Sequence, residues 1–398
     1  MQTSEYLTNF SAGIAPIPQD QWQALAQHCG PFLQYSFLNG LETCGCVGGT
    51  TGWQPHFITV HRHGTLVGAM PGYLKSDSYG EYVFDHSWAN AYHHHGLNYY
   101  PKWISAVPFT PVTGPRMLIH PNADKQIIVE KLLEQAGRLE QFGASSCHLL
   151  FAQDFERHNA CHAGYRARWS VQFQWHNYDY TDFDGFLSAL TSRKRKDIRK
   201  SRQFLQASGI CIERRGDGQI RPQDMAFFLS CYQQTYLKRS GHTGYLNQEF
   251  FEHLLKTLKN RLMLVIARQG DVPVASALFL YDDKGLYGRY WGSLRDVNGL
   301  HFECCYFQGI EFAIENRIPL FNPGTQGEHK ILRGFEPIYC CSLHRLFASE
   351  FDAAVGEFLD REAPVITNYY HQAHNVLPFN ATFRAQLISS PENKKGHF

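Results

Sequence analysis

No stretch of this chain holds the roughly 18 consecutive apolar residues that a membrane-spanning helix needs, so none is expected. Residues 1–20 lack the basic-then-apolar pattern of a secretory signal. Formal net charge is only +1, so no global excess of one sign advertises nucleic acid or a membrane, and any electrostatic binding must be local. Eleven cysteines are present, yet none form a Cys-x-x-Cys pair. The close pairs Cys44/Cys46, Cys304/Cys305 and Cys340/Cys341 lack zinc-type partner spacing, which argues against a metal framework and suits reduced thiols in a cytoplasmic protein. Neither G-x-x-x-x-G-K-S/T nor G-x-G-x-x-G occurs, and no Ser-His-Asp signature is visible. The triplet His93-His94-His95 reads as a loop feature without a metal role, because consecutive side chains point different ways in a strand or helix.

What is present is a globular chain of 398 residues, 43% hydrophobic and 14% aromatic, long enough that two domains are expected. Residues 57–69 read as strand, two-residue turn, strand, and residues 262–277 repeat that shape with Gly270 in the place of Gly64. Each hairpin is expected to continue into a third strand, Tyr79–Ser87 in the first half and Gly285–Gly292 in the second. Self-similarity at a spacing of roughly 200 residues points to a duplicated fold rather than a solenoid. Helical periodicity marks 125–142, 183–208 with Gly209 as its stop, 224–240, 247–258 and 300–316, with peripheral amphipathic stretches at 20–30 and 352–360. Residues 149–152 read as a strand. The class is therefore α+β (mixed α/β). The expected division is a first domain over 1–175, a second over 176–385 and a polar tail over 386–398.

Three constellations carry charge. Residues 193–202 hold seven basic side chains against one acid, and at 100° per residue Arg195, Arg199 and Arg202 share a face with Lys196 and Lys200 beside them. Like charges at i,i+4 weaken a helix, so the run is read as facing an anion: the phosphates of a tRNA, a nucleotide-containing cofactor or an anionic lipid headgroup. The helix from His301 is expected to carry a polar stripe of His301, Cys304, Gln308, Glu311 and Glu315, flanked by Phe302, Tyr306, Ile310, Ala313 and Ile314. Such a stripe on so apolar a helix calls for a facing cavity, with Glu303 in the first turn. The loop Gln326-Gly327-Glu328-His329-Lys330 sets acid, imidazole and ammonium side by side, and its glycines allow close backbone approach. Imidazole beside carboxylate is a proton-transfer pair at neutral pH.

These blocks resemble a known family. Trp291-Gly292-Ser293, His301-Phe302-Glu303, Tyr306, residues 308–314, residues 326–330 and Arg333-Gly334-Phe335 are similar to the FemAB-like predicted N-acyltransferases, relatives of the FemABX peptidyltransferases. Ser192–Lys196 with Ile198-Arg199 resembles that family's basic helix, and residues 99–102 and 107–116 resemble its first-half motifs. The resemblance spans roughly residues 30 to 385. It implies two tandem GNAT-like (acyl-CoA N-acyltransferase) domains, each a mixed sheet flanked by helices, the second catalytic and the first serving acceptor binding and support. The position of the GNAT pyrophosphate loop reads Leu294–Leu300 with one glycine, which favours an acyl carrier other than CoA. A long coiled-coil insertion of the kind that contacts tRNA is not seen.

The resemblance thus implies transfer of an acyl or aminoacyl group to an amine, a small molecule or a peptidoglycan precursor, from acyl-CoA or aminoacyl-tRNA as co-substrate and with no permanently bound cofactor. The alternatives are an acetyl-CoA-dependent N-acetyltransferase and a non-catalytic recognition protein on the same fold. The expected proton-transfer residues are Glu328, His329, Glu303 and His301. Backbone N–H groups near Tyr290 and Trp291 are expected to polarise the carbonyl. Arg289, Gln308, Glu311, Gln326, Lys330 and Arg333 are expected to bind substrate in the second domain, and Tyr100, Lys102 and Arg116 in the first. Arg195, Lys196, Arg199 and Arg202 are expected to hold a tRNA or other polyanion. The stripe on the 301 helix and the 326–333 loop are expected to face one cavity.

Overall fold

The structure, a computed structural model, describes residues 5–325 and 327–389. The chain forms two compact units, one made of residues up to Val171 with Tyr245–Leu258 and Tyr339–Asn368, the other of Gln172–Gly244, Lys259–Ile338 and residues from Tyr369 on. The expected contiguous division at 175/176 is therefore corrected, because two later segments return to the first unit. The strand Glu336–Leu346 pairs there with Ser146–Ala152, Leu343 opposite Leu149. The helix Gln248–Thr257 is tied to the first unit by His253 Nε2 and the Ser36 carbonyl (2.8 Å), while its N-cap Asn247 donates to the Cys44 carbonyl (2.6 Å). The expected tail from 386 begins inside the helix Ala381–Ser389, and residues 390–398 lie outside the described ones.

The second unit carries the sheet that positions the site. Ile210–Arg215, Leu262–Gln269, Val272–Tyr281 and Gly285–Ser293 form an antiparallel meander. Leu320–Asn322 then joins in parallel, and Trp175 and His176 of the strand Arg166–His176 pair antiparallel with it. Strands buried on both sides read as continuous apolar runs, as Leu262–Ala267 does.

In the first unit the hairpin Phe57–Arg62/Thr65–Met70 is confirmed, lying between Tyr6–Ser11 and Leu118–Ile119. The expected third strand over 79–87 is not there; those residues make turns and bends that lead into the helix His86–His94. Its place in the topology is taken by Lys102–Ser105, antiparallel to Tyr73–Lys75 and parallel to Ser146–Ala152. Each unit holds one parallel pair flanked by antiparallel strands, Lys102–Ser105 with Ser146–Ala152 here and Gly285–Ser293 with Leu320–Asn322 in the second, while the first unit's hairpin lies in a separate four-stranded sheet.

Helices start where short polar side chains satisfy free N–H groups. Asp124 accepts from the backbone of Gln126 and Ile127 ahead of Lys125–Gly137. The helix expected over 183–208 is two, Phe183–Ala189 and Ser192–Ala207, because Leu190 and Thr191 turn extended and bond the backbone at Phe379 and Pro378. The triplet His93-His94-His95 is not a loop but the exposed last turn and cap of the helix His86–His94.

Two residues expected to bind substrate are buried in the first unit. Lys102 is fully enclosed, its Nζ donating to Ser78 Oγ (2.9 Å), to Glu81 Oε2 (2.8 Å) and to Asp85 Oδ2. Tyr99 donates to the same Asp85 oxygen (2.7 Å). Arg116, equally buried, donates to the carbonyls of Leu150 (2.6 Å), Val112 (2.5 Å) and Pro115 (3.1 Å). These cations satisfy buried acceptors and present no surface to a ligand, which corrects their expected role. Tyr100 is half-buried, its hydroxyl 2.8 Å from Ser78 Oγ.

Lys102→Met is expected to lower unfolding free energy by about 3 kcal/mol at pH 7, since it strands buried acids without their counter-ion. Denaturant titration checks this; unchanged stability would show that the network carries no weight.

Candidate active site

The site is built around the place where a parallel ladder stops. Gly285–Ser293 and Leu320–Asn322 pair over three positions, ending at Tyr287 opposite Asn322, after which Pro323 has no N–H to continue. That edge of the longer strand carries the parallel ladder only as far as Tyr287. On its other edge the register shifts: Gly288 opposes Phe279 and Tyr290 opposes Leu278, leaving Arg289 as an extra residue. A bulge of this kind re-aims a side chain. Arg289 turns its guanidinium onto Asn322 Oδ1 (3.2 and 3.3 Å), which also accepts from the Gly324 N–H (3.0 Å). Gly292 lies where a Cβ would sit 1.8 Å from the Cys231 carbonyl oxygen, so the helix Pro222–Ser240 can pack on this strand only because position 292 has no side chain.

Past the loop 294–299 the expected helix from 300 is present, but not as one regular α-helix. Leu300–Phe302 is α, Glu303–Phe307 is a π turn and Gln308–Glu315 is α again. The wider turn changes the phase, so the single polar stripe expected from helical spacing is split. Cys304 is buried within it. Glu303, Gln308 and Glu311 meet Arg202: Nε and Nη2 reach the two Glu303 oxygens (3.0 and 2.8 Å), Nη1 reaches Glu311 (2.5 Å), and Gln308 donates to Glu303 (2.7 Å). This corrects two expectations. Glu303 is locked in a forked ion pair and is not a free proton acceptor, and Arg202 spends its donors inside the protein rather than on an external anion.

His301 and Tyr306 face the other way, toward the loop after the 320 strand. Tyr306 OH lies 2.8 Å from His329 Nε2. The His301 ring stands 5.9 Å from that of His329, and 5.4 Å from both Tyr306 and Trp291. The strand edge, the helix start and the 327–333 turn thus meet, with His301 and His329 side by side. Gly327, at φ +106°, is required, because a Cβ there would lie 2.1 Å from the His329 ring. Arg333 stacks over Phe302, 3.3 Å from the ring centroid, and donates to the His329 carbonyl (2.5 Å). Lys330 is buried and donates to the Gly324 carbonyl (2.5 Å). Gln326 lies outside the described residues.

The expected pairing of Glu328 with His329 is corrected. Glu328 is exposed and accepts from the Tyr369 hydroxyl (3.0 Å), whereas the imidazole's partner is Tyr306. Tyr306 read from sequence as an apolar flank; it and Asn322 are the site residues that sequence reasoning missed. Tyr290 packs its ring against Tyr232 at 5.5 Å.

Burial sets the protonation of this cluster. It lowers His301 to about 4, reinforced by His329, Arg239, Arg333 and Lys330. His329 is lowered by partial burial, then by Arg333 and Lys330. Lys330 falls to about 7 through burial and then Arg289. Burial raises the Tyr306 hydroxyl, which stays protonated. At neutral pH both imidazoles are therefore uncharged and Lys330 is poised between its forms.

A family profile described as peptidoglycan biosynthesis/recognition, the FemAB-like profile, matches residues 13–381. The chain belongs to the FemAB-like family. No curated protein matches it by sequence. Among solved structures FemX aligns with a TM-score of 0.52 at 10% identity, over 85% of this chain and 98% of that one. L-PGS from Bacillus licheniformis aligns at 0.50 and 10% identity, over 86% and 96%. A tandem GNAT protein from the clavulanic acid biosynthesis pathway aligns at 0.45 and 12% identity, over 86% and 98%. At such identities the likeness to FemX and L-PGS is one of fold, and the α+β class is the one the FemAB-like resemblance implied. Among the described residues no helix is long and apolar enough to cross a membrane, and no group of three metal-ligating side chains gathers.

Within this FemAB-like chain Lys330 gives a measurable signature. Its folded pKa lies below its ordinary 10.5, so between about 7 and 10.5 the unfolded chain binds more protons than the folded one. Its contribution to unfolding free energy therefore rises with pH across that window and is lost as pH falls through about 7. Wild type minus Lys330→Met should gain about 2–3 kcal/mol between pH 7 and 9 in paired denaturant titrations. A flat difference would mean Lys330 is charged in the folded state.

Proposed function

We propose that this FemAB-like chain is an N-acyltransferase that moves an acyl or aminoacyl group onto an amine, with the chemistry in the second unit and a peptidoglycan-precursor amine as acceptor. The observation that carries this reading is the neutral His329 imidazole held by the Tyr306 hydroxyl, beside the strand segment where the 285–287/320–322 ladder ends. Acyl transfer needs a neutral amine, donors for the carbonyl oxygen as charge develops, and a group that carries a proton from nitrogen to leaving group.

In the tautomer that donates Nε2–H to Tyr306, His329 Nδ1 holds the lone pair. The neutral amine attacks the carbonyl carbon, forming the C–N bond. Backbone N–H groups of the 288–293 edge, near Tyr290 and Trp291, meet the oxygen. His329 takes the proton from the attacking nitrogen. As the tetrahedral centre collapses, the C–S bond of a thioester or the C–O bond of an aminoacyl ester breaks. The leaving sulfur or oxygen receives a proton from the imidazolium through the Tyr306 hydroxyl, so that one proton passes from nitrogen to leaving group. His301, uncharged and packed on Trp291, adds no positive charge of its own beside the attacking amine. Arg289, Lys330 and Arg333 are the groups for negative charge on the donor.

Both acyl-CoA and aminoacyl-tRNA remain donors in this scheme; the single glycine of the 294–299 loop supports a carrier other than CoA. Assays of purified protein with CoA thioesters and aminoacyl-tRNA, against muropeptide amines, would separate them. His329→Gln should lower kcat by about 10²–10⁴-fold and remove the low-pH limb of kcat/KM, whose midpoint should lie below the ordinary histidine value. Tyr306→Phe should lower kcat less, about tenfold, while sparing KM. Full activity in His329→Gln would remove the imidazole from the mechanism. Absence of turnover with every donor would leave a recognition protein on the same fold.

A further inference from the structure

The basic helix Ser192–Ala207 is not used by the reaction above, and the structure sorts its cations into two sets. The buried side carries Ile198 and Leu205. On the flank, Arg202 is taken by Glu303 and Glu311, and Arg199 donates to Asp184 (2.7 Å). Lys194 lies 3.7 Å from Asp197. The Arg195–Arg199–Arg202 face read from the sequence as anion-binding therefore has two of its three members paired to acids of the same unit.

The opposite face is different. Arg193, Lys196 and Lys200 are exposed and form no ion pair among the described residues. At 100° per residue they fall with Phe204 within a sector of about 80°, rising over roughly 16 Å from Arg193 to Phe204. Phe204 is 51% exposed. Like charges one turn apart, Lys196 and Lys200, weaken a helix slightly, so the stripe does not serve helix stability. A half-exposed phenyl ring at the end of a row of cations is also unfavourable in water alone.

We propose that this stripe docks the protein on an anionic phospholipid surface. Three cations over two turns match a headgroup layer, where each basic side chain contributes about a fivefold gain in partition. Phe204 supplies the apolar contact that enters the boundary between headgroups and acyl chains. A nucleic-acid surface fits less well: tight binding there draws on roughly six to ten phosphate contacts, more than this face offers. With one aromatic and a near-neutral chain the attachment is weak, reversible and salt-sensitive. It stands independently of the reaction proposed for the second unit.

Sedimentation of the full chain with vesicles of phosphatidylcholine, alone or mixed with phosphatidylglycerol, tests this across a salt series. The protein should partition onto the anionic vesicles at low salt and not onto the neutral ones. Replacing Arg193, Lys196 and Lys200 together by Gln should lower that partition about a hundredfold. Phe204→Ser should lower it severalfold while leaving the salt slope unchanged, and Arg195→Gln should change it far less than the triple replacement. Thermal unfolding of the triple variant should match wild type, since none of the three side chains makes an ion pair to lose. Equal partition of wild type and triple variant would overturn the proposal. So would failure to bind phosphatidylglycerol vesicles at low salt, including the case in which the same three residues are instead required to retain tRNA.

Discussion

One guanidinium decides which way the functional helix faces. Arg202 spends its Nε and both Nη groups on Glu303 and Glu311, and Gln308 closes the same network. Removing either side of so buried a pair leaves an uncompensated charge, so the arrangement resists rotation of the helix about its axis. The π turn Glu303–Phe307 then changes the phase between its two ends. Acids are gathered on one side and silenced there, while His301 and Tyr306 are delivered to the other side, against His329. This one ion pair separates the carboxylates held in structure from the imidazoles that the proposed reaction uses.

The rest of the site follows from two backbone constraints. The bulge at Arg289 turns a cation onto Asn322, which fixes the exit from the 320 strand through the Gly324 N–H. Gly327 lets the His329 ring lie back on the chain. His301 is then largely enclosed while His329 stays exposed; Lys330 and Arg333 disfavour the charged form of both, and His329 that of His301. The surrounding cations thereby keep the two imidazoles neutral, and the same cations disfavour protonation of an amine held beside them. The first unit shows the opposite use of buried charge. Lys102, Glu81 and Asp85 neutralise one another, and burial pushes the Glu81 carboxyl up to about 7.

Much of the architecture was legible because it is periodic. Alternation and turn chemistry marked the two hairpins, and Gly209 marked a helix stop. The third strand of the first half was misplaced because Tyr79–Ser87 is aromatic and short-range patterns favour a strand, whereas its true counterpart Lys102–Ser105 pairs with neighbours distant in sequence. The return of residues 339–346 to the first sheet is a long-range pairing of the same kind. In the site, the His301 region and the 327–333 turn were found, but their partners were not. A regular period places Glu303 and Tyr306 wrongly once a π turn intervenes. Adjacency in sequence paired Glu328 with His329, while the backbone sends the carboxylate to Tyr369. Lys102 and Arg116 looked like ligands because charge in a motif is ambiguous until burial is known.

The central claim is that the acyl group is transferred at the 288–293 end of the 285–293 strand, beside His329. Photo-crosslinking tests it most directly, using donors with a photoreactive acyl group on a CoA thioester and on an aminoacyl-tRNA, followed by peptide mapping. The account predicts adducts within residues 288–293 and 322–333, suppressed by the unlabelled donor. Competed adducts confined to the first unit, around Tyr100 for example, would contradict it.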